Sequence, residues 1–235
     1  MSPRLLLALL LLALSAPLGA APPTPPPAPA ATPVTAAVAP APTLEQAAAG
    51  IEKRYAEGGD FKARFTQETR QASVKDLVLK KKGQVFFKRP GLMRWDYTEP
   101  DQVYYISDGQ TLWNYIPESA LVYKMPVKGS RLTYALQFLF GTGKMATEFG
   151  LGACPPMEGL SCLKLSPKKA DHAFKEIRLY HDQAFAIAAT ALVDPEGGES
   201  LLRFVSPTFG PLDGAGFRFT PPADARVEDL GQESK

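Results

Sequence analysis

The chain has 235 residues, of which 45% are hydrophobic, and its 26 basic and 24 acidic residues leave a formal net charge of +2. This near-neutral balance gives no electrostatic argument for nucleic-acid binding. Without its first segments, the chain retains roughly 190 residues, enough for one domain with a sizeable core. We expect no second folded domain.

Residues 1–21 have the pattern of a secretory signal peptide. Arg4 supplies a positive charge, residues 5–14 form an apolar run, and residues 17–21 are mostly small. The run is too short for a bilayer-spanning helix, which needs about 20 residues. The pattern therefore predicts export and cleavage after Ala20 or Ala21, with an uncleaved anchor as the alternative.

Residues 22–43 consist mainly of Pro, Ala and Thr and are predicted to form a disordered, solvated leader. A spacer is favoured over a docking arm. The folded domain is then expected to cover residues 44–235.

A helix is predicted over residues 44–57. Thr43 can act as its N-cap, with Gln46 at the third helical position, and Gly58 can end it. From Phe61 the hydrophobic pattern alternates with a period of two, which indicates antiparallel strands joined by short turns such as Asp108-Gly109. Further strand-like segments are residues 147–151, 161–166, 173–181, 184–193, 199–206 and 215–220.

A second helix is predicted over residues 131–140, where the sequence is apolar nearly all round. Such a helix either lies in a core or forms the inner wall of a lid. The pattern alone leaves both open.

Four segments, in chain order, resemble the periplasmic carrier proteins of the lipoprotein-localisation pathway, the LolA family. They are Phe65-Thr66-Gln67, Lys88-Arg89-Pro90-x-Leu92-x-x-Trp95, Ser107-Asp108-Gly109-x-Thr111-Leu112-Trp113-x-Tyr115-x-Pro117 and Phe217-x-Phe219-Thr220-Pro221-Pro222. The resemblance covers roughly residues 44 to 230.

The resemblance implies an α+β fold: a curved, incomplete antiparallel β-barrel with a helical lid over an apolar cavity. It implies a periplasmic, non-enzymatic carrier that moves the acyl chains of lipoproteins from the inner to the outer membrane. The expected donor is an inner-membrane ABC-type lipoprotein-releasing complex, and the expected acceptor lies at the outer membrane, for example a receptor lipoprotein. We expect a monomer without cofactor, metal or nucleic-acid partner.

Large apolar side chains are the candidates for lining this cavity, although packing in an ordinary core is the alternative for each, and alternation does not tell which sheet face is concave. The candidates are Phe86, Met93, Trp95, Tyr97, Tyr105, Trp113 and Tyr115 on strands, and Leu136, Phe138, Leu139 and Phe140 on the second helix.

Arg89 is the candidate lid latch. The resemblance implies that its guanidinium holds the lid closed by hydrogen bonds to backbone carbonyls of the lid, whereas the alternative is a surface arginine beside Lys88. Cys154 and Cys162 are the two cysteines of the chain. Export would place them in an oxidising compartment, so we expect a disulfide between them.

The sequence shows no convincing catalytic motif. His172 and His181 fall near strand ends, where surface or hairpin-edge residues are the usual case. A lipid- or lipoprotein-sensing module of the same fold is the first alternative function, and a periplasmic hydrolase is the second.

Overall fold

The structure is a computed structural model that describes residues 41–74, 77–127, 144–169 and 174–231. The predicted signal peptide, most of the predicted leader and the predicted helix 131–140 lie outside these residues.

Helix α1 spans Leu44–Glu57, as predicted from its cap. The Thr43 side chain accepts a hydrogen bond from the Gln46 N–H, and the Gln46 side chain accepts one from the Thr43 N–H, so the two residues form a capping box. The apolar stripe of α1 is buried and consists of Ala47, Ala48, Ile51 and Tyr55.

Twelve strands form one sheet in the order β12-β6-β5-β4-β3-β2-β1-β11-β10-β9-β8-β7. The strands are β1 Phe61–Arg70, β2 Val78–Lys88, β3 Leu92–Glu99, β4 Val103–Ser107, β5 Thr111–Ile116, β6 Leu121–Pro126, β7 Phe149–Ala153, β8 Ser161–Pro167, β9 Glu176–His181, β10 Ile187–Val193, β11 Glu199–Phe209 and β12 Arg226–Asp229. β7 and β12 lie at opposite ends of this order, so the described sheet is open. The predicted α+β class with an incomplete barrel is confirmed.

Near the C-terminus one sequence prediction is wrong and one strand was missed. Residues 215–220 are not a strand: a 3-10 helix spans Gly214–Phe217, where the Asp213 side chain accepts a hydrogen bond of 3.0 Å from the Ala215 N–H. Strand β12 was not predicted, and it pairs with β6 in parallel. The parallel pairing arises because residues 210–225, here called the crossing segment, return across the sheet after β11 instead of turning back beside it.

The beginning of the predicted strand 147–151 is also helical. A short helix, α2, spans Met145–Glu148, and β7 starts only at Phe149. The Met145 N–H donates a hydrogen bond of 2.5 Å to the Glu52 carboxylate, so α2 is joined to α1.

The two faces of the sheet have different covers. We call the face that carries Phe65, Val85 and Trp95 the inner face, and these side chains belong to the same buried cluster as the apolar stripe of α1. The opposite, outer face carries Arg94, and there the crossing segment lies close enough for Arg94 to donate a hydrogen bond of 3.0 Å to the Gly216 carbonyl.

Helix α1 is held against the start of β10 and the residues just before it. The Ile187 N–H donates a hydrogen bond of 3.2 Å to the Tyr55 hydroxyl oxygen, and burial raises the pKa of Tyr55 to about 12. Gly50 faces Phe185 so closely that a Cβ atom there would lie 2.5 Å from the ring. This close approach explains a glycine in the middle of a helix, where it otherwise costs stability.

Among the described residues, none of the helices combines the length and apolar character that crossing a bilayer requires.

Candidate functional site: the inner face of the sheet

The inner face carries a continuous band of aromatic rings that crosses five strands. Successive ring centroids are 5.3 to 6.1 Å apart from Phe209 on β11 through Phe61 and Phe87 to Trp95. Beyond Trp95 the band continues at 5.0 to 6.0 Å through Phe65 and Tyr97 to Tyr105 on β4. The rings touch because alternate residues on neighbouring strands share one face.

The middle of this band is deeply buried. Phe65 is 1% exposed and Trp95 is 4% exposed, whereas Tyr97 and Tyr105 towards β4 are only partly buried. Burial raises the pKa of both tyrosines, so their hydroxyls remain protonated at neutral pH. The side chains of these two tyrosines therefore carry no charge at neutral pH.

Polar groups lie beyond the aromatic rings on the inner face. The Tyr97 hydroxyl donates a hydrogen bond of 2.8 Å to Gln67 Oε1, and Gln67 Nε2 donates one of 2.7 Å to Ser200 Oγ. Lys81 Nζ lies 5.4 Å from the Tyr97 ring centroid. These groups mark where the apolar surface ends.

The structure divides the predicted cavity-lining residues between the two faces. Four of them share the inner face with α1: Met93, Trp95, Tyr97 and Tyr105. The outer face instead carries Phe86, Trp113 and Tyr115. Arg94 of the outer face pairs in register with Phe86 of β2 and with Ile106 of β4, and Ile106 in turn pairs with Trp113. Tyr115 lies two residues further along β5 and therefore on the same face as Trp113. Leu136, Phe138, Leu139 and Phe140 lie outside the described residues.

The three outer-face rings contact the crossing segment. Trp113 and Tyr115 lie 6.1 and 5.6 Å from the Phe219 ring. Phe86 lines a cleft of about 300 Å³ together with Phe217. Their aromatic character in the sequence therefore reflects a second apolar layer on the outer face.

Arg89 lies directly after β2 and reaches the end of α1. Its Nη1 donates a hydrogen bond to the carbonyl oxygen of Ala56. Its Nε and Nη2 are buried and have no hydrogen-bond partner among the described residues. The structure thus brings the predicted latch residue to a backbone carbonyl near the end of α1, whereas the helix predicted over residues 131–140 lies outside the described residues.

Asp60 is a residue of this region that the sequence analysis did not single out. Its carboxylate accepts hydrogen bonds from Lys88 Nζ at 2.9 Å, from the Leu212 N–H at 2.8 Å and from the Arg89 N–H at 3.2 Å. Its position immediately before β1 could have indicated a role at the start of that strand. The sequence could not indicate its hydrogen-bond partners, because they are distant along the chain.

The remaining predicted residues have structural roles in the described region. Cys154 and Cys162 form the expected disulfide, with Cα atoms 5.3 Å apart. His181 is 3% exposed, its Nδ1 lies 2.8 Å from the Asp182 carbonyl oxygen, and its ring packs 5.6 Å from that of Phe185. His172 lies outside the described residues. Within the described ranges, no group of three or more His, Cys, Asp and Glu side chains could hold a metal ion.

Comparisons with known proteins agree with this architecture. The outer-membrane lipoprotein carrier protein of Sodalis glossinidius is 30% identical over 199 residues, which are 84% of this chain and 95% of that protein. The protein of the same name from Serratia proteamaculans is 29% identical over 189 residues, with 80% and 91% covered. An uncharacterized conserved protein from Thermus thermophilus has a similar fold, with a TM-score of 0.51 at 14% identity, over 80% of this chain and 99% of that one.

A family model also matches the chain: that of the outer membrane lipoprotein carrier protein LolA. It matches residues 59–220, from just after α1 into the crossing segment. The chain therefore belongs to the LolA family of outer membrane lipoprotein carrier proteins.

Proposed function

We propose that this protein carries lipoproteins by binding their acyl chains against the inner face of the sheet. The observation that carries this proposal is the uninterrupted aromatic band from Phe209 to Tyr105. Burial of each methylene group is worth about 0.8 kcal/mol, so a long acyl chain cannot cross water without such a cover. The family name supports lipoprotein cargo, and the proposal assigns no chemical step to the protein.

The proposed route runs from the inner to the outer membrane through the periplasm, after export by the signal peptide of residues 1–21. The donor would be an inner-membrane ABC-type lipoprotein-releasing complex, and the acceptor would be a protein of the outer membrane. In this proposal residues 44–235 are the carrier domain, residues 22–43 are a spacer, and the protein acts as a monomer.

Arg89 is proposed to stabilise the closed, empty state. A hydrogen bond from a charged donor contributes about 1.5–3 kcal/mol. That is enough to favour closure, yet smaller than the gain from burying an acyl chain, which can therefore open the carrier. Re-forming the bond to Ala56 would then favour release of the cargo.

The test compares two adjacent tyrosines on β4 that lie on opposite faces. Tyr105 belongs to the inner aromatic band, whereas Tyr104 stacks on Tyr115 of the outer face at 6.0 Å. Binding of a dipalmitoyl lipopeptide would be measured by displacement of an environment-sensitive dye. We expect Tyr105→Ala to weaken binding about 3- to 10-fold, because it removes an aromatic contact, and Tyr104→Ala to leave binding unchanged.

Mass spectrometry of the protein purified from the periplasm provides a second measurement. We expect co-purified lipoprotein or acylated lipid. A protein that contains no acylated molecule and does not bind the lipopeptide would overturn the carrier proposal. Equal losses in the two tyrosine variants would place the binding surface elsewhere.

A further inference from the structure

Trp95 has a buried hydrogen-bond donor that the rest of the described structure does not use. The side chain is 4% exposed, and its Nε1 has no hydrogen-bond partner among the described residues. A buried donor without a partner loses its hydration and gains nothing in return. Most buried polar groups in native structures have a partner, which the protein, an ordered water molecule or a ligand supplies.

The surroundings of Trp95 determine what that acceptor can be. Its ring lies 5.0 Å from Phe65 and 6.1 Å from Phe87, so two sides are apolar. Tyr97 stacks beside it at 6.4 Å, but the Tyr97 hydroxyl points to Gln67 and does not accept a hydrogen bond from Trp95 Nε1. Moving an ionised carboxylate from water into this apolar site would be strongly unfavourable, because the charge would lose its hydration. A neutral oxygen on an otherwise apolar ligand fits the site best.

We propose that the Trp95 indole N–H donates a hydrogen bond to the carbonyl oxygen of an ester- or amide-linked acyl chain bound on the inner face. This inference rests on the proposed carrier function and deepens it, because it names the chemical group that the site selects. The carrier would then distinguish acyl chains from plain hydrocarbon of the same length. The linked carbonyl would also set how deeply each chain enters.

The test uses two lipopeptides that differ only in this group. Both carry two sixteen-carbon chains on a glyceryl cysteine peptide, one through ester bonds and the other through ether bonds that lack the carbonyl. The wild-type protein is expected to bind the ester about 3- to 10-fold more tightly, which corresponds to one neutral hydrogen bond. Trp95→Phe keeps an aromatic ring but removes the donor, so it should abolish this preference.

A spectroscopic measurement on the wild-type protein avoids dependence on the variant's folding. The chain has two tryptophans, and Trp113 lies on the outer face, where it contacts Phe219. Indole ¹⁵N-labelling therefore yields two N–H resonances, which Trp113→Phe assigns. The ester should move the Trp95 proton resonance downfield more than the ether does, and the Trp113 resonance should stay in place.

The outcomes separate this inference from the carrier function. Equal binding of the two lipopeptides, with the same Trp95 resonance in both complexes, would overturn the carbonyl contact and leave the carrier proposal standing. Failure of both lipopeptides to bind would overturn both. An ester preference that persists in a folded Trp95→Phe variant would assign the carbonyl contact to another residue and overturn the inference.

Discussion

The carboxylate of Asp60 accepts a hydrogen bond of 3.2 Å from the backbone N–H of Arg89, which lies 29 residues further along the chain. The same carboxylate binds Lys88 and the Leu212 N–H, so it joins the turn after α1, the end of β2 and the crossing segment. Burial alone would raise the pKa of Asp60, but the hydrogen bonds from Leu212, Lys88 and Arg89 outweigh it and lower the pKa. Asp60 therefore holds the backbone from which the Arg89 side chain reaches α1.

Asp60→Asn is expected to make stability less dependent on pH. Because the pKa of Asp60 is lowered in the folded state, ionised Asp60 stabilises the fold above the ordinary carboxyl pKa of about 4, and this contribution is lost as the pH falls through the lowered value. At pH 7 the variant should lose about 1–3 kcal/mol of unfolding free energy. The difference from wild type should shrink towards pH 2, as measured by urea unfolding.

Asp101→Asn is the matched control for Asp60, since Asp101 is exposed between β3 and β4. It should change the unfolding free energy little at either pH. A constant difference between wild type and Asp60→Asn over the whole pH range would contradict the role assigned to the ionised carboxylate.

Arg89→Leu should leave the fold intact and stop transfer of cargo. The bond from Arg89 to Ala56 is proposed to form when the empty carrier closes, so its loss should make release about 10- to 100-fold less favourable. Transfer of a labelled lipoprotein from donor to acceptor vesicles measures this. Arg64→Leu, an exposed change on β1, should transfer normally. Normal transfer by Arg89→Leu would refute the latch.

Removing the disulfide should weaken the fold without affecting the inner face. The bond closes a short loop between β7 and β8, and the chain-entropy model predicts a loss of about 2–3 kcal/mol for Cys154→Ser combined with Cys162→Ser. Unfolding in urea with and without reductant measures the loss. Lipopeptide affinity below the unfolding transition should match wild type, because the loop packs near Tyr180 and Leu201 in a separate outer cluster. A variant with weaker binding would indicate that this loop reaches the site.

Gly83→Ala should be among the most disruptive small changes in the sheet. A Cβ atom at Gly83 would collide with the backbone carbonyl of Asp96 and would lie 2.8 Å from the Phe65 ring. Overpacking of this kind costs about 1–3 kcal/mol. Gly216→Ala is the control, because a Cβ there would meet nothing within 4 Å. Thermal unfolding should separate the two variants, and similar midpoints would mean that β2 and β3 can move apart at no cost.

Local patterns in the sequence were enough to predict much of the fold. The Thr43 and Gln46 cap, the stripe of α1 and the alternation from Phe61 onwards each depend on residues within a few positions of one another. The sheet could be predicted for the same reason, because most of its strands pair with their neighbours in sequence. The disulfide followed from the presence of two cysteines in a chain predicted to be exported.

The tertiary structure decided which aromatic residues act together. Alternation separates Trp95 from Arg94 but is symmetrical, so it cannot tell which side of β5 will face α1 and which will face the crossing segment. Trp113 and Tyr115 thus came to lie on the outer face. The partners of Asp60 depend in the same way on a contact with Leu212 across 152 residues of sequence. Long-range pairing of this kind follows from how the whole chain packs, and no local pattern encodes it.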